Sequence, residues 1–350
     1  MGTQSGQPSA QHGVSRLIYG YVGGVRRGPR RTALAVATAR GIDAGLGTLG
    51  LSRPVLLVSG FWRSGTTWLQ ECLAAALGAK TVFEPMSPME PRRRADLSKL
   101  YPDDGEDLWQ ATVPGPWSPN DVAWRYLDAA CSGRLATEYL MSCRRDVAES
   151  LRRTIVVKDV RLQANFRAFH DRYGVPVVHV RRHPCAVVAS LLAANWHWSF
   201  EHASLAMVLP RLGAALTEAE RTRALRFDTD ALHRTAAFWA VTERLAAEGL
   251  SRQRWGALLS YENFSADPGP VLAELCRTIG LRQRATVDFA QPSASVHPEA
   301  FAAYGAAPRE RWRTMLTFQE IEQIETVVDA IFPEWRDAIT GPRTPETSNR

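Results

Sequence analysis

From Pro54 onward, short continuous apolar runs alternate with longer stretches in which apolar residues return every three or four positions. The first pattern fits strands buried on both faces and the second fits amphipathic helices, so together they predict a parallel sheet with helical crossovers. Pro54–Ser59 is the first predicted strand. Its helix begins near Thr66, where Leu69, Cys72, Leu73 and Ala76 fall at i, i+3, i+4 and i+7, and Gly78 ends it. A short strand, Thr81–Glu84, stops at Pro85. Further strands are predicted at Ile155–Asp159, Val175–Arg181 and Gly256–Glu262, with helices at Asn165–Tyr173, Pro184–Ala194, Thr229–Gly249, Asp267–Gly280 and Thr317–Ile331. The expected fold class is α/β: a single doubly wound domain, its central parallel sheet of about four or five strands flanked by helices.

Two stretches break this rhythm. Residues 85–150 open on a Pro-rich segment with Arg92, Arg93 and Arg94 and the aromatics Tyr101, Trp109 and Trp117, and residues 195–250 open on Trp196-His197-Trp198. Both read as irregular insertions over a site. Residues 1–50 read as a partly disordered N-terminal extension, 51–340 as the domain and 341–350 as a tail.

At 350 residues, with 45% hydrophobic and 22% charged residues, the chain has the make-up of a soluble globular protein. The net charge of +6 suits an anionic ligand. Only Lys80, Lys99 and Lys158 are lysine, so the basic residues are overwhelmingly arginine. No basic run is interleaved with aromatics as single-strand binding requires, which argues against nucleic acid as partner. Five cysteines, odd in number and with no C-x-x-C pair, fit reduced core thiols in a cytoplasmic protein and supply no zinc site. The apolar segment Leu17–Val25, flanked by Arg16, Arg26 and Arg27, is too short to span a bilayer. A basic N-terminal arm in peripheral contact with a membrane is one reading of it, and a loosely packed extension is the other.

Three elements carry chemistry. Gly60-Phe-Trp-Arg-Ser-Gly65 followed by Thr66 and Thr67 has the glycine spacing of a phosphate-binding loop between strand and helix. The lysine that nucleotidases place after the second glycine is missing, and the cation is Arg63. Ser64, Gly65, Thr66 and Thr67 supply donors, and Trp68 is placed to stack on a base; a capped strand-to-helix turn uses the same residues. Next, Arg182 ends a strand and Ser190 lies two helical turns into the following helix, so both can share one phosphate if the chain folds back at Pro184. Last, Tyr261 in Leu259-Ser-Tyr-Glu-Asn-Phe264 falls at a later strand end, where ligands of open α/β sheets gather; as a packing residue it would be half-buried.

In this order, the three elements resemble the sulfotransferases that use 3′-phosphoadenosine 5′-phosphosulfate, over about residues 53–335 and closest to the bacterial and carbohydrate-type branch. The resemblance implies that the first motif holds the 5′-phosphosulfate, Arg182 and Ser190 the 3′-phosphate, and Tyr261 the nucleotide, with 3′-phosphoadenosine 5′-phosphate (PAP) as product and no metal. It accounts for the missing lysine, because the donor has no γ-phosphate. The catalytic His of the cytosolic branch has no counterpart here: the strand reads Lys158-Asp159-Val160-Arg161, with valine in that position. Glu84, in Phe83-Glu84-Pro85, matches the base of the carbohydrate-type members, with His197 and Asp159 as alternatives. Arg63 and Lys158 are then the catalytic cations, Arg161 a further donor, and Arg309 or Arg311 a loose match to a late nucleotide contact. The implied acceptor is a hydroxyl of a glycan, glycolipid or natural product. A nucleotide kinase and an inactive nucleotide-binding module are the competing readings.

Overall fold

The computed structural model describes residues 33–87, 113–194, 200, 203–251, 253–291, 293 and 310–340. The elements follow in the order α1 (Ala33–Thr48), β1 (Arg53–Gly60), α2 (Thr66–Leu77), β2 (Lys80–Phe83), α3 (Val122–Cys131), β3 (Thr154–Lys158), α4 (Phe166–Tyr173) and β4 (Val177–Arg181). Then come α5 (Pro184–Ala194), α6 (Leu205–Val208), α7 (Glu218–Leu225), α8 (Ala231–Leu250), β5 (Gly256–Ser260), α9 (Tyr261–Ala266), α10 (Pro268–Thr278), α11 (Phe318–Ile331) and α12 (Trp335–Thr340).

The five strands form one parallel sheet in the order β2-β3-β1-β4-β5. Strand alternation sends side chains into two apolar layers. Leu56, Val58, Val156, Val178 and Val180 pack with Leu69, Leu73 and Ala76 of α2 and with Leu272 and Cys276 of α10. Leu57, Ile155, Val157 and Val177 pack on the other face with Leu127 of α3 and Phe166 and Phe169 of α4. Helices therefore cover both faces, which is the doubly wound arrangement that the sequence predicts.

The differences from the expected elements have local causes. The last strand stops at Ser260 rather than Glu262, because the Ser260 hydroxyl accepts the Asn263 amide at 3.2 Å and caps α9. Tyr261 thus opens a helix instead of closing a strand. The second strand is Lys80–Phe83, and Glu84 leaves it with φ at +39°. Within the segment expected to be an insertion, α8 is core scaffold: Asp230 caps it, and Phe238 and Trp239 are wholly buried. The Pro-rich stretch around Arg92, Arg93, Arg94, Tyr101 and Trp109, and the Trp196-His197-Trp198 run, lie outside the described residues.

α1, which falls within the stretch 1–50 expected to be an extension, docks on the sheet domain. Asp43 of α1, wholly buried, pairs with Lys80 at 2.7 Å and with Arg144; Lys80 also donates to Ser52, and Arg144 to Ser150 and the Thr81 carbonyl. Burial lowers the Lys80 pKa more than Asp43 raises it. Removing one member of such a network strands the others in a dry interior, a loss of about 3–5 kcal/mol. Asp43→Ala is therefore expected to lower the melting temperature by several degrees and to speed amide exchange across α1. A variant that melts with the wild type would show that α1 docks by its apolar contacts alone.

Candidate functional site

The crest of the sheet, where all five strands present their carboxyl ends, gathers the candidate residues. Gly60 closes β1 against the start of α2: a Cβ there would stand 2.5 Å from Thr66 Cγ2 and 2.6 Å from the Val180 carbonyl. Gly65 is the N-cap of α2 with φ at +85° and has no side chain to cap the first turn. The first-turn amides of α2 and the positive end of its dipole therefore face the loop, ready for an anion. Thr66 and Thr67 are buried beside them, and the buried Ser64 hydroxyl has no hydrogen-bond partner among the described residues.

The second motif folds onto this loop. Arg182 Nη1 donates to the Arg63 carbonyl at 2.9 Å, and Arg63 Nε donates to Ser190 Oγ at 2.9 Å. The Arg182 guanidinium lies 4.5 Å from the centre of the Tyr261 ring, whose edge covers Gly65. Arg63, Gly65, Arg182, Ser190 and Tyr261 thus form one cluster. No carboxylate pairs with Arg182 among the described residues, and its Nε is buried without a partner. Burial lowers its pKa more than Tyr261 and Glu262 raise it. A desolvated cation with an open donor is a site built for an anion. The segment Arg311–Thr314 completes this wall, since Trp312 stacks on His183 at 4.6 Å. Burial, and then Arg313 and Arg336, push the His183 pKa down to about 4, so its ring is neutral at physiological pH. Arg311 is thus the immediate neighbour of Trp312 in this wall, while Arg309 lies outside the described residues.

A separate group of charges sits at the ends of β2 and β3. Glu84 pairs with Lys158 and with Arg161 Nη1 at 3.3 Å, and the Tyr139 hydroxyl donates to it at 3.4 Å. Burial acts to raise the Glu84 pKa, but Lys158 and Arg161 outweigh it and hold the carboxyl below its usual range. Lys158 lies over the Phe83 ring and Arg161 over Trp62 of the phosphate loop, which joins this group to the first. Among the described residues, Arg63 and Glu84 are the non-glycine positions with positive φ, at +66° and +39°. Such a backbone costs about 1–3 kcal/mol per residue, and here both instances fall at the candidate site. Asp159 is wholly buried and takes the Met86 and Arg161 amides at 2.6 and 2.8 Å, contacts that brace the turn.

Next to the Arg182 cluster, Trp68 meets the Tyr261 ring edge-on with centroids 6.3 Å apart. Its ring packs on Phe264 at 4.6 Å and lines a cavity of about 290 Å³ with Glu71, Cys72, Cys143, Val287 and Asp288. His197 lies outside the described residues. Tyr139 was not marked by the sequence, because the only signal for it is a contact across 55 residues.

Substitution at Gly65 tests the loop. An alanine Cβ would meet the Tyr261 ring at 2.5 Å in a backbone conformation that costs an L-residue about 1–2 kcal/mol. Gly65→Ala is expected to weaken PAP binding at least about tenfold, or about 1.4 kcal/mol; calorimetry giving wild-type affinity would remove the loop from the site.

The sulfotransferase-family model matches residues 54–285, which take in the five strands, apart from Arg53, and the three motifs, but not the segment Arg311–Thr314. The chain belongs to the sulfotransferase family, and with it to a class of enzymes. No curated relative matches the sequence. Among solved structures, it is similar to a sulfotransferase from Alicyclobacillus acidocaldarius (16% identity, 81% of this chain and 99% of that one, TM-score 0.37). It is also similar to one from Mycobacterium avium (14%, 96% and 98%, 0.37) and to a mouse sulfotransferase complexed with PAP (12%, 81% and 87%, 0.38). At such scores these similarities add nothing to the family match.

Proposed function

We infer that the enzyme moves a sulfuryl group from 3′-phosphoadenosine 5′-phosphosulfate to an acceptor hydroxyl. The observation that carries this reading is Arg182, a buried guanidinium with an open donor and no ion-paired carboxylate among the described residues, set beside Ser190 and the phosphate loop. A second anion-binding position next to the loop is what a nucleotide with phosphates at both 5′ and 3′ requires, and a nucleoside triphosphate has no use for it.

The residues fit the donor. The α2 amides with Ser64, Thr66, Thr67 and Arg63 would hold the 5′-phosphosulfate, and Arg182 with Ser190 the 3′-phosphate. Tyr261, Trp68 and the cavity beside Trp68 would take the nucleoside. When bound, the donor supplies an SO3 group on a phosphate that is already a stable leaving anion. Arg63 stays protonated and acts as a fixed positive charge at that phosphate. Lys158 and Arg161 offer the same to the sulfuryl oxygens. Glu84, ionised and at the rim of the same group, takes the acceptor proton. The acceptor class is a hydroxyl of a glycan, glycolipid or natural product, in keeping with a glutamate base in place of histidine.

Titration with PAP and with adenosine 5′-phosphate tests this reading. PAP is expected to bind at least about 100-fold tighter, about 2.7 kcal/mol, because only PAP occupies Arg182 and Ser190. Equal affinities would overturn it. Extracts incubated with enzyme and labelled donor, searched by mass for an added SO3, identify the acceptor.

A further inference from the structure

Glu84 shares its two cationic partners with the donor. Lys158 takes one carboxylate oxygen and Arg161 the other, and the mechanism proposed above directs both cations at the sulfuryl oxygens. Once the donor draws on them, neither can fix the direction of the carboxylate. Its backbone, with φ at +39°, is one that persists only where the surroundings hold it.

Tyr139 is a partner of a different kind. Its hydroxyl donates to Glu84 Oε2 at 3.4 Å, the oxygen that also receives Arg161. The residue is 9% exposed and its ring meets Phe83 edge-on at 5.5 Å, while the neighbouring Leu140 carbonyl accepts the Phe83 amide at 2.9 Å. Tyr139 is thereby tied to the end of β2, the strand from which Glu84 emerges. The Ser87 hydroxyl donates to the phenol oxygen, and the Ser87 amide donates to the Glu84 carbonyl at 2.9 Å. A phenol has one proton to give, and here it goes to Glu84. Burial, and then the charge of Glu84, push the Tyr139 pKa well above its ordinary value, so the hydroxyl stays a neutral donor. An anionic donor draws strongly on two cations and only weakly on a neutral hydroxyl. Among the described residues, the other titratable groups whose charge reaches this set are Asp159, which takes the Met86 and Arg161 amides, and Cys143, whose thiol burial keeps neutral.

We propose that Tyr139 is the positioning residue of the base, the fixed contact that keeps Glu84 aimed at the acceptor hydroxyl while the donor occupies Lys158 and Arg161. This rests on Glu84 being the base. As the acceptor oxygen bonds to sulfur and the bridging S–O bond breaks toward the 5′-phosphate, the acceptor proton passes to Glu84. Tyr139 keeps its own proton throughout.

Tyr139→Phe removes the hydroxyl and leaves the ring. It is expected to lower kcat at least about tenfold near neutral pH, through loss of aim, with PAP affinity held. The acid limb of kcat should move up by about one pH unit, because an ionised carboxylate loses a donor. The limb of kcat/KM for the donor should move less, since in the free enzyme Lys158 and Arg161 still hold Glu84. Packing alone would move neither limb. A ring-fluorinated tyrosine at position 139, a stronger donor of nearly the same shape, should shift the kcat limb downward. Added to Glu84→Gln, Tyr139→Phe should cost no more than about twofold, because no carboxylate is left to aim. Unmoved kcat limbs in both position-139 variants, or losses that multiply in the double variant, would overturn the proposal. Wild-type turnover in Glu84→Gln would sink the base assignment and this proposal together. A slow Glu84→Gln beside a fully active Tyr139→Phe sinks this proposal alone.

Discussion

Glu84→Gln is expected to lower kcat by about 10²–10⁴-fold, the usual weight of a positioned general base, while PAP binds as tightly as before or tighter. The two effects separate because the carboxylate has two functions. In the proposed mechanism it takes the acceptor proton, and it also occupies Lys158 and Arg161. Glutamine keeps the shape, abolishes the first function and weakens the second, which frees both cations for the donor. The pH dependence follows from the same pairing. Glu84 is held below its usual pKa, so the acid limb it imposes on kcat/KM for the donor falls below pH 4.5 and the profile is flat above it. A donor that engages Lys158 and Arg161, as proposed, would slacken their hold on Glu84 and raise its pKa. The acid limb of kcat, which reports the bound state, should therefore lie at higher pH than that of kcat/KM. Wild-type turnover in the glutamine variant would exclude Glu84 as base. Coincident limbs would show that the cations never leave it. Asp159→Asn offers the contrast: it should unsettle the turn that holds Met86 and Arg161, and so reduce stability before it affects chemistry.

What the sequence revealed, and what it hid, divides by the range of the contacts. The strand-loop-helix of the phosphate loop was legible because Gly60, Gly65 and the apolar spacing of α2 act within about one turn of each other. The sheet was legible because Val, Ile and Leu runs buried on both faces have no other use. Hidden were relations set by residues far apart. Asp43 reads as a lone acid in a weak helix until Lys80 and Arg144 close on it. Tyr139 carries no mark of its contact with Glu84. Tyr261 sat in a run of strand formers, and the Ser260 cap, worth about 1 kcal/mol, moved it to a helix start. The positive φ of Arg63 and Glu84 has no sequence signature, since neither residue type favours it. Trp68 was legible as an aromatic beside the loop, but its direction is fixed by Phe264, which lies almost 200 positions away.

Arg182→Ala should weaken PAP binding by about 10²-fold, or about 2.7 kcal/mol, and leave adenosine 5′-phosphate binding within about threefold. The asymmetry is the substance of the prediction. Arg182 has two structural roles, a hydrogen bond to the Arg63 carbonyl and a face on Tyr261, and either could disturb the loop if lost. A loop disturbance would weaken both nucleotides alike, because both place a 5′-phosphate on the α2 amides. Loss of a 3′-phosphate partner weakens only the nucleotide that has one. Arg182→Lys sharpens the distinction. It restores a charge but not the planar fork, so the Arg63 carbonyl and the phosphate can no longer be served together. Lysine should then recover part of the PAP affinity, with a steeper dependence on salt than the arginine enzyme shows. Equal losses for the two nucleotides would reduce Arg182 to a brace for the loop, and the buried, unpaired Nε would lose its explanation as the docking point of a second phosphate.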